Sequence, residues 1–202
     1  HHQQSSYLAD LAAAGVRPDE VDFFMCTHLH TDHVGWNTRL VDGRWVPTFT
    51  NAQYLFARDE YQAREKQMRE EPEGGHVQAF ADSVLPVMEA GRAVLVDSDH
   101  EIEDGVRLEP APGHTAGNVV LNLSSGGDRA VLSGDVIHHP VQLLRPEWSS
   151  RACEDRPQSR QTRRAFIERY ADSDTLIAPG HFPSPSFGRI VGLADRFAWR
   201  DA

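Results

Sequence analysis

The alternation of apolar and polar positions divides the chain into short strands and a few amphipathic helices. Ser5-Ser6 cap a helix running to about Ala14, with Gly15 placed to end it. Pro18-Asp19-Glu20 turns the chain into an apolar strand over 21–27. Asp42-Gly43 between the apolar pairs of 40–46 reads as a hairpin, and 53–57 as a further strand. A charged helix over 59–71 stops at Glu71-Pro72-Glu73-Gly74-Gly75. The next helix, 77–90, contains Pro86 and so kinks or restarts there. From Ala93 strands dominate: 93–96, 106–109, 118–123 and 130–132, the last two separated by the turn 124–128. A helix over 157–170, apolar at Ala165, Phe166, Ile167 and Tyr170, precedes a strand at 175–178 and a closing strand at 188–193. With no internal repeat and no low-complexity linker, the pattern predicts one domain over 1–202, two sheets flanked by helices, and a helical insertion at about 59–90.

Chemistry concentrates where the strand at 21–27 gives way to a loop, at Cys26-Thr27-His28-Leu29-His30-Thr31-Asp32-His33-Val34-Gly35. Imidazoles and carboxylates are the ligands that suit zinc and related divalent metals. One metal rarely takes all four groups from so short a segment. His28 and His30 suit one metal, Asp32 and His33 a second. A solvated His-rich loop is the bland reading, but three more candidates follow strands downstream: His114 in Pro112-Gly113-His114-Thr115-Ala116-Gly117-Asn118, Asp135 in Ser133-Gly134-Asp135, and His181 in Pro179-Gly180-His181. Seven ligands are enough for two metals sharing one carboxylate, with positions left open for water or substrate.

The order HxHxDH, GHTxGN, SGD, PGH resembles the metallo-β-lactamase-fold hydrolases from about Leu8 to the C-terminus. The pieces 33–37, 43–47, 134–140 and 179–183 resemble the branch that includes quorum-quenching lactonases and methyl-parathion-hydrolase-like enzymes. The resemblance implies an α+β fold, the αββα sandwich. That fold normally begins with several N-terminal strands, and this chain shows none before its first helix, which points to a chain truncated there. The resemblance also assigns ligands: His28, His30 and His114 to one metal, Asp32, His33 and His181 to the other, Asp135 bridging. Two cations about 3.5–4 Å apart share a water, lower its pKa and aim it at an electrophile. Asp32 is then a candidate to shuttle a proton to the leaving alkoxide. His138 is a candidate donor to the substrate carbonyl, in a stretch, 136–140, where some lactonases of the superfamily place a tyrosine. Thr115 and Asn118 orient the His114 loop. Trp36, Trp148 and Phe182 are candidate pocket walls.

The substrate implied is a lactone of the acyl-homoserine type; an aryl ester or organophosphate triester is the alternative. The bridging aspartate argues against a β-lactamase, and the end soon after His181 against a glyoxalase-type thioesterase. His30 stands where flavodiiron proteins carry Glu. A non-catalytic metal-binding domain is the reading from another class. Zinc is the expected metal, with manganese, iron or cobalt admitted by the same ligands, and many relatives form homodimers.

Composition narrows the partners. Thirty acidic against 20 basic residues give a net charge of −10, which argues against a nucleic-acid partner. The basic residues of 156–169 alternate with Gln, Glu and apolar positions, as on a solvated helix face. No apolar run is long enough to span a bilayer and no signal-like N-terminus is evident, so a cytoplasmic small-molecule enzyme is the default. His1 to Gln4 are either native or a tag remnant. The two cysteines form no framework: Cys26 reads as a small buried hydrophobe, Cys153 as a bystander in a polar loop. His76 and His100, outside any motif, read as surface residues.

Overall fold

The computed structural model describes residues 5–202; His1 to Gln4 lie outside the described residues. The chain divides into two compact units, one holding the described residues up to Phe56 with Arg64–Leu95, the other Ala57–Ala63 with Val96–Ala202.

In the first unit α1 (Tyr7–Ala13) leads through a 3-10 turn (Pro18–Glu20) to β1 (Phe23–Met25). In that turn the Arg17 backbone N–H donates to the Glu20 carboxylate. The strand is shorter than the apolar run 21–27, because its register with β4 (Gln53–Ala57) is parallel and covers only Phe23, Phe24 and Met25. β4 is buried from Tyr54 to Ala57 and is the middle strand of a three-stranded sheet, β1-β4-β5, closed by β5 (Ala93–Val96). β2 (Thr38–Val41) and β3 (Arg44–Pro47) make the expected hairpin. Asp42 and Gly43 both take positive φ, 48° and 78°, the two-residue turn whose twist matches the strands it joins. After α2 (Arg58–Glu70), the helical stretch breaks into α3 (Val77–Ser83) and α4 (Leu85–Glu89), with Pro86 in the first turn of α4.

The second unit is built on a seven-stranded sheet in the order β12-β11-β10-β9-β8-β7-β6. β6 (Glu101–Glu103), β7 (Val106–Pro110), β8 (Val119–Ser125) and β9 (Asp128–Gly134) form an antiparallel meander. α5 (Val141–Leu144) and α6 (Arg156–Tyr170) then carry the chain across to β10 (Leu176–Pro179), which lies parallel to β9. β11 (Gly188–Leu193) pairs with a strand missing from the sequence reading, β12 (Arg196–Asp201). α6 lays Phe166, Ile167 and Tyr170 on Val120, Val131, Ile177 and Ile190 of the sheet. Burying a side chain of this size stabilises by about 1.5–3 kcal/mol. Ala165, read as part of the apolar face, is exposed, and Arg163 is buried instead.

This topology fixes where the chemistry of the second unit must sit. The parallel strands β9 and β10 end together, so Asp135 and the 180–181 turn emerge side by side, and the Gly180 N–H donates to the Gly134 carbonyl. β8 runs antiparallel to β9, so the loop that feeds it, with His114, lies at the same end. Strand ends joined by loops on a rigid sheet are where ligand groups converge.

Candidate metal centre

In the first unit the loop after β1 is held by its apolar residues. Leu29 and Val34 are buried and alternate with the polar side chains, so His28 and His30 flank an anchor instead of swinging in solvent. The His33 N–H donates to the His30 carbonyl and the Asn37 N–H to the Val34 carbonyl, two tight turns in succession. The His28 ring centroid lies 4.8 Å from that of His30 and 4.1 Å from that of His33. His33 Nε2 stands 3.6 Å from the Asp32 carboxylate, whose side chain is 57% exposed. Thr27 Oγ1 is 3.2 Å from His28 Nδ1, which leaves Nε2 as the ring's other face for a ligand. Cys26 is buried as expected, and its thiol donates to Asn37 Oδ1 at 3.3 Å. His76 is not a surface bystander: its ring stacks 4.5 Å from His30 at 16°, and its Nδ1 is 2.9 Å from Thr31 Oγ1. No spacing signal links residue 76 to residue 30, since tertiary folding alone brings α3 to the loop. Trp36 stays with the N-terminal helix, its Nε1–H donating to Ser5 Oγ and its ring 5.3 Å from Tyr7.

In the second unit three imidazoles converge on one oxygen. Nε2 of His114, His138 and His181 lie 3.2, 3.1 and 3.2 Å from Asp135 Oδ2. Asp135 and His114 are buried; the His181 side chain is 37% exposed and opens the cluster to solvent. Among the described residues His138 Nδ1 has no hydrogen-bond partner, although it is shielded from solvent. His138 faces the carboxylate and stacks on His181 at 8°, with 5.7 Å between centroids. A crowd of imidazole nitrogens around one carboxylate is what a divalent cation satisfies, and the N/O donor set is that of zinc. The residues present therefore fit a metal.

The His114 loop is the most tightly specified backbone in this unit. The Asn118 side chain donates to the Ala111 carbonyl and the Ala111 N–H to the Asn118 carbonyl, as expected of a loop clamp. Thr115 acts through its backbone, its carbonyl accepting from the Gly113 N–H. Gly113 sits at φ 119° with the Ser159 backbone N only 2.2 Å from where a Cβ would stand. Gly117 packs equally hard on Glu60, whose buried carboxylate accepts from the Gly117 N–H at 3.1 Å. Glu60 carries no sequence signal beyond belonging to a charged helix. Cys153 corrects the sequence reading: it is 6% exposed and its Sγ lies 3.5 Å from His114 Nδ1. Phe182 is buried in the core against Trp199, ring centroids 4.7 Å apart. Trp148 is 56% exposed while its carbonyl is held by Gln142 and Arg163.

Comparison with known proteins identifies the family. The model of the metallo-beta-lactamase superfamily matches residues 2–181, through both units. The chain belongs to the metallo-beta-lactamase superfamily. Its mixed helix-and-sheet fold is that of the family, as the motif order implied. N-acyl homoserine lactonase AiiA of Bacillus thuringiensis subsp. kurstaki is 29% identical over 125 residues, 60% of this chain and 40% of that protein. The N-acyl homoserine lactonase of Bacillus cereus is 28% identical over 130 residues, 64% and 44% of the two chains. This chain thus spans less than half the length of the curated relatives it matches. Among solved structures, hydrolase AbOPH of the beta lactamase superfamily superposes with a TM-score of 0.84 at 27% identity, over 98% of this chain and 69% of that one. AidC, a dizinc quorum-quenching lactonase, gives 0.79 at 22% identity, over 100% and 71%, a likeness of fold. Among the described residues no helix is long and apolar enough to cross a membrane.

Proposed function

We propose that the protein is a dinuclear metal-dependent hydrolase of small esters, with a lactone of the acyl-homoserine class as substrate. The observation that carries this reading is the convergence of three imidazoles on the single oxygen Asp135 Oδ2. Family membership and the named activity of the lactonases it resembles supply the direction. The proposed holders are His28, His30 and His114 for one cation and Asp32, His33 and His181 for the other, Asp135 bridging. Two such cations, when bound, supply Lewis acidity toward an ester carbonyl and an acidified water.

The chain's own residues do the rest. Asp135 carries the negative charge that offsets the repulsion of two cations, and its burial keeps that charge from being screened by water. His138 orients this carboxylate, its Nε2 3.1 Å from Oδ2. Asp32, the most exposed carboxylate of the loop, takes the proton of the attacking water and delivers it to the departing alkoxide. Trp148 offers an exposed indole for an apolar acyl chain.

The test is hydrolysis of a panel comprising an acyl-homoserine lactone, a simple γ-lactone, an aryl ester, a phosphotriester and a cephalosporin, with zinc content measured on the same protein. A lactone preference that disappears in Asp135→Ala supports the reading. Preference for the phosphotriester or aryl ester removes the lactonase assignment while keeping the chemistry. Less than one equivalent of bound metal with no turnover overturns both.

A further inference from the structure

The second unit contains a buried cation that the proposed reaction does not use. Arg163 is fully buried, and burial lowers its guanidinium from the ordinary value. Four hydrogen bonds compensate. Nε donates to the Val136 carbonyl at 3.0 Å, Nη1 to the carbonyls of Pro146 and Trp148 at 2.7 and 2.9 Å, and Nη2 to Ser159 Oγ at 2.9 Å. Val136 is the residue after Asp135. The Ser159 hydroxyl donates in turn to Cys153 Sγ at 3.4 Å, and that sulfur lies 3.5 Å from His114 Nδ1. All four side chains of this path are nine-tenths or more buried. The backbone runs parallel to it: the Glu154 N–H donates to the His114 carbonyl and the Asp155 N–H to the Gly113 carbonyl.

From this we infer that Arg163 is a positioning residue for two proposed metal ligands at once, setting the Asp135 turn through Val136 and the His114 ring through Ser159 and Cys153. The inference rests on the proposed metal centre. Its chemical content is a choice of tautomer. His114 Nε2 faces Asp135, so metal binding there needs the ring proton on Nδ1. With the proton there, Nδ1–H donates to Cys153 Sγ 3.5 Å away, a sulfur that also accepts from the Ser159 hydroxyl. Metal-bound histidines depend on such a partner for orientation and basicity. Cys153 fills that place with sulfur, and Arg163, two hydrogen bonds away, fixes where that sulfur stands. A lysine cannot replace Arg163, since one ammonium does not reach acceptors spread over Val136, Pro146, Trp148 and Ser159.

The experiment is zinc affinity by competition with a chromophoric chelator, with circular dichroism and melting of each metal-free variant to establish folding. Cys153→Ala is expected to weaken zinc binding by roughly 10-fold or more, and Cys153→Ser, which keeps an acceptor, to return to within about threefold of the parent. Arg163→Met and Arg163→Lys are expected to weaken it alike; should either fail to fold, the two Cys153 variants decide. Nitrogen-15 NMR of the imidazoles supplies the second readout: His114 protonated at Nδ1 in the parent, and exchange between tautomers in Cys153→Ala. Folded Cys153→Ala with parental affinity and an unchanged His114 spectrum overturns the inference, and so does a loss that serine fails to restore. His114→Ala separates the two levels. If it leaves zinc affinity and stoichiometry untouched, the proposed ligand set is what fails, and the relay with it.

Discussion

At the scale of single residues, the site depends on atoms that are absent. Gly113 combines a φ of 119° with a Ser159 backbone nitrogen 2.2 Å from the position of a Cβ, so no side-chain rearrangement relieves a substitution there. Gly113→Ala is expected to cost on the order of 3 kcal/mol in urea unfolding, from strain plus displacement of α6. Gly75→Ala, where nothing lies within 4 Å, is expected to stay within about 0.5 kcal/mol. Equal effects of the two would refute the close-packing argument. Tyr54 gives a pH-dependent counterpart in the first unit. Its hydroxyl accepts from the Phe49 N–H and donates to the Asn37 carbonyl, and burial pushes its pKa from 10.0 to about 12. A pKa raised in the folded state means stability that is complete below the unfolded value and is lost as pH climbs from about 10 to about 12. Denaturant midpoints measured across that window should fall in the parent and lose this component in Tyr54→Phe.

Among the elements, α6 joins packing to function. Its apolar residues Phe166, Ile167 and Tyr170 cover the seven-stranded sheet, while its first turns carry Ser159 and Arg163 toward the His114 loop. Asp155 caps it by accepting from the Gln158 N–H at 2.9 Å. Asp155→Ala is therefore expected to cost about 1 kcal/mol, read as a lower melting midpoint. Because the Asp155 N–H also holds the Gly113 carbonyl, the backbone contact survives that substitution, and zinc affinity should hold while stability drops. Helices and strands of this kind were readable from periodicity: the hairpin from Asp42-Gly43, the break at Pro86, the strands that feed the ligands. What stayed hidden has a common physical cause. β12 alternates Arg196 and Arg200 with Phe197 and Trp199 as an edge strand, so its charge masks its pairing with β11. Arg163 looks like one more solvated base among 156–169, because local sequence does not reveal that carbonyls of 136, 146 and 148 wait for it. Cys153 and His76 likewise acquire their neighbours, His114 and His30, only through tertiary folding. The ligand candidates were conspicuous because His28, His30, Asp32 and His33 fall within six residues and His114, Asp135 and His181 each follow a strand and a turn.

For the molecule as a whole, the proposed centre makes metal part of the folding equilibrium. The unfolded chain offers the same ligands without their arrangement, so a cation that binds the native state stabilises it by mass action, about 2.7 kcal/mol at a free concentration 100 times the dissociation constant. For a chain of 202 residues, each kcal/mol moves the melting midpoint by about 2–4 °C. Stripping zinc with a chelator is expected to lower the midpoint by roughly 5–10 °C, and about two equivalents should restore it. Net charge of −10 means that any divalent ion gathers at the surface, so magnesium at the same concentration is the control. Magnesium prefers oxygen ligands and retains its waters, whereas five of the seven proposed ligands offer imidazole nitrogen. Recovery with zinc and none with magnesium locates the stabilisation in the histidine-rich centre. Equal recovery assigns it to charge screening, and a midpoint indifferent to the chelator removes the metal from the folded protein.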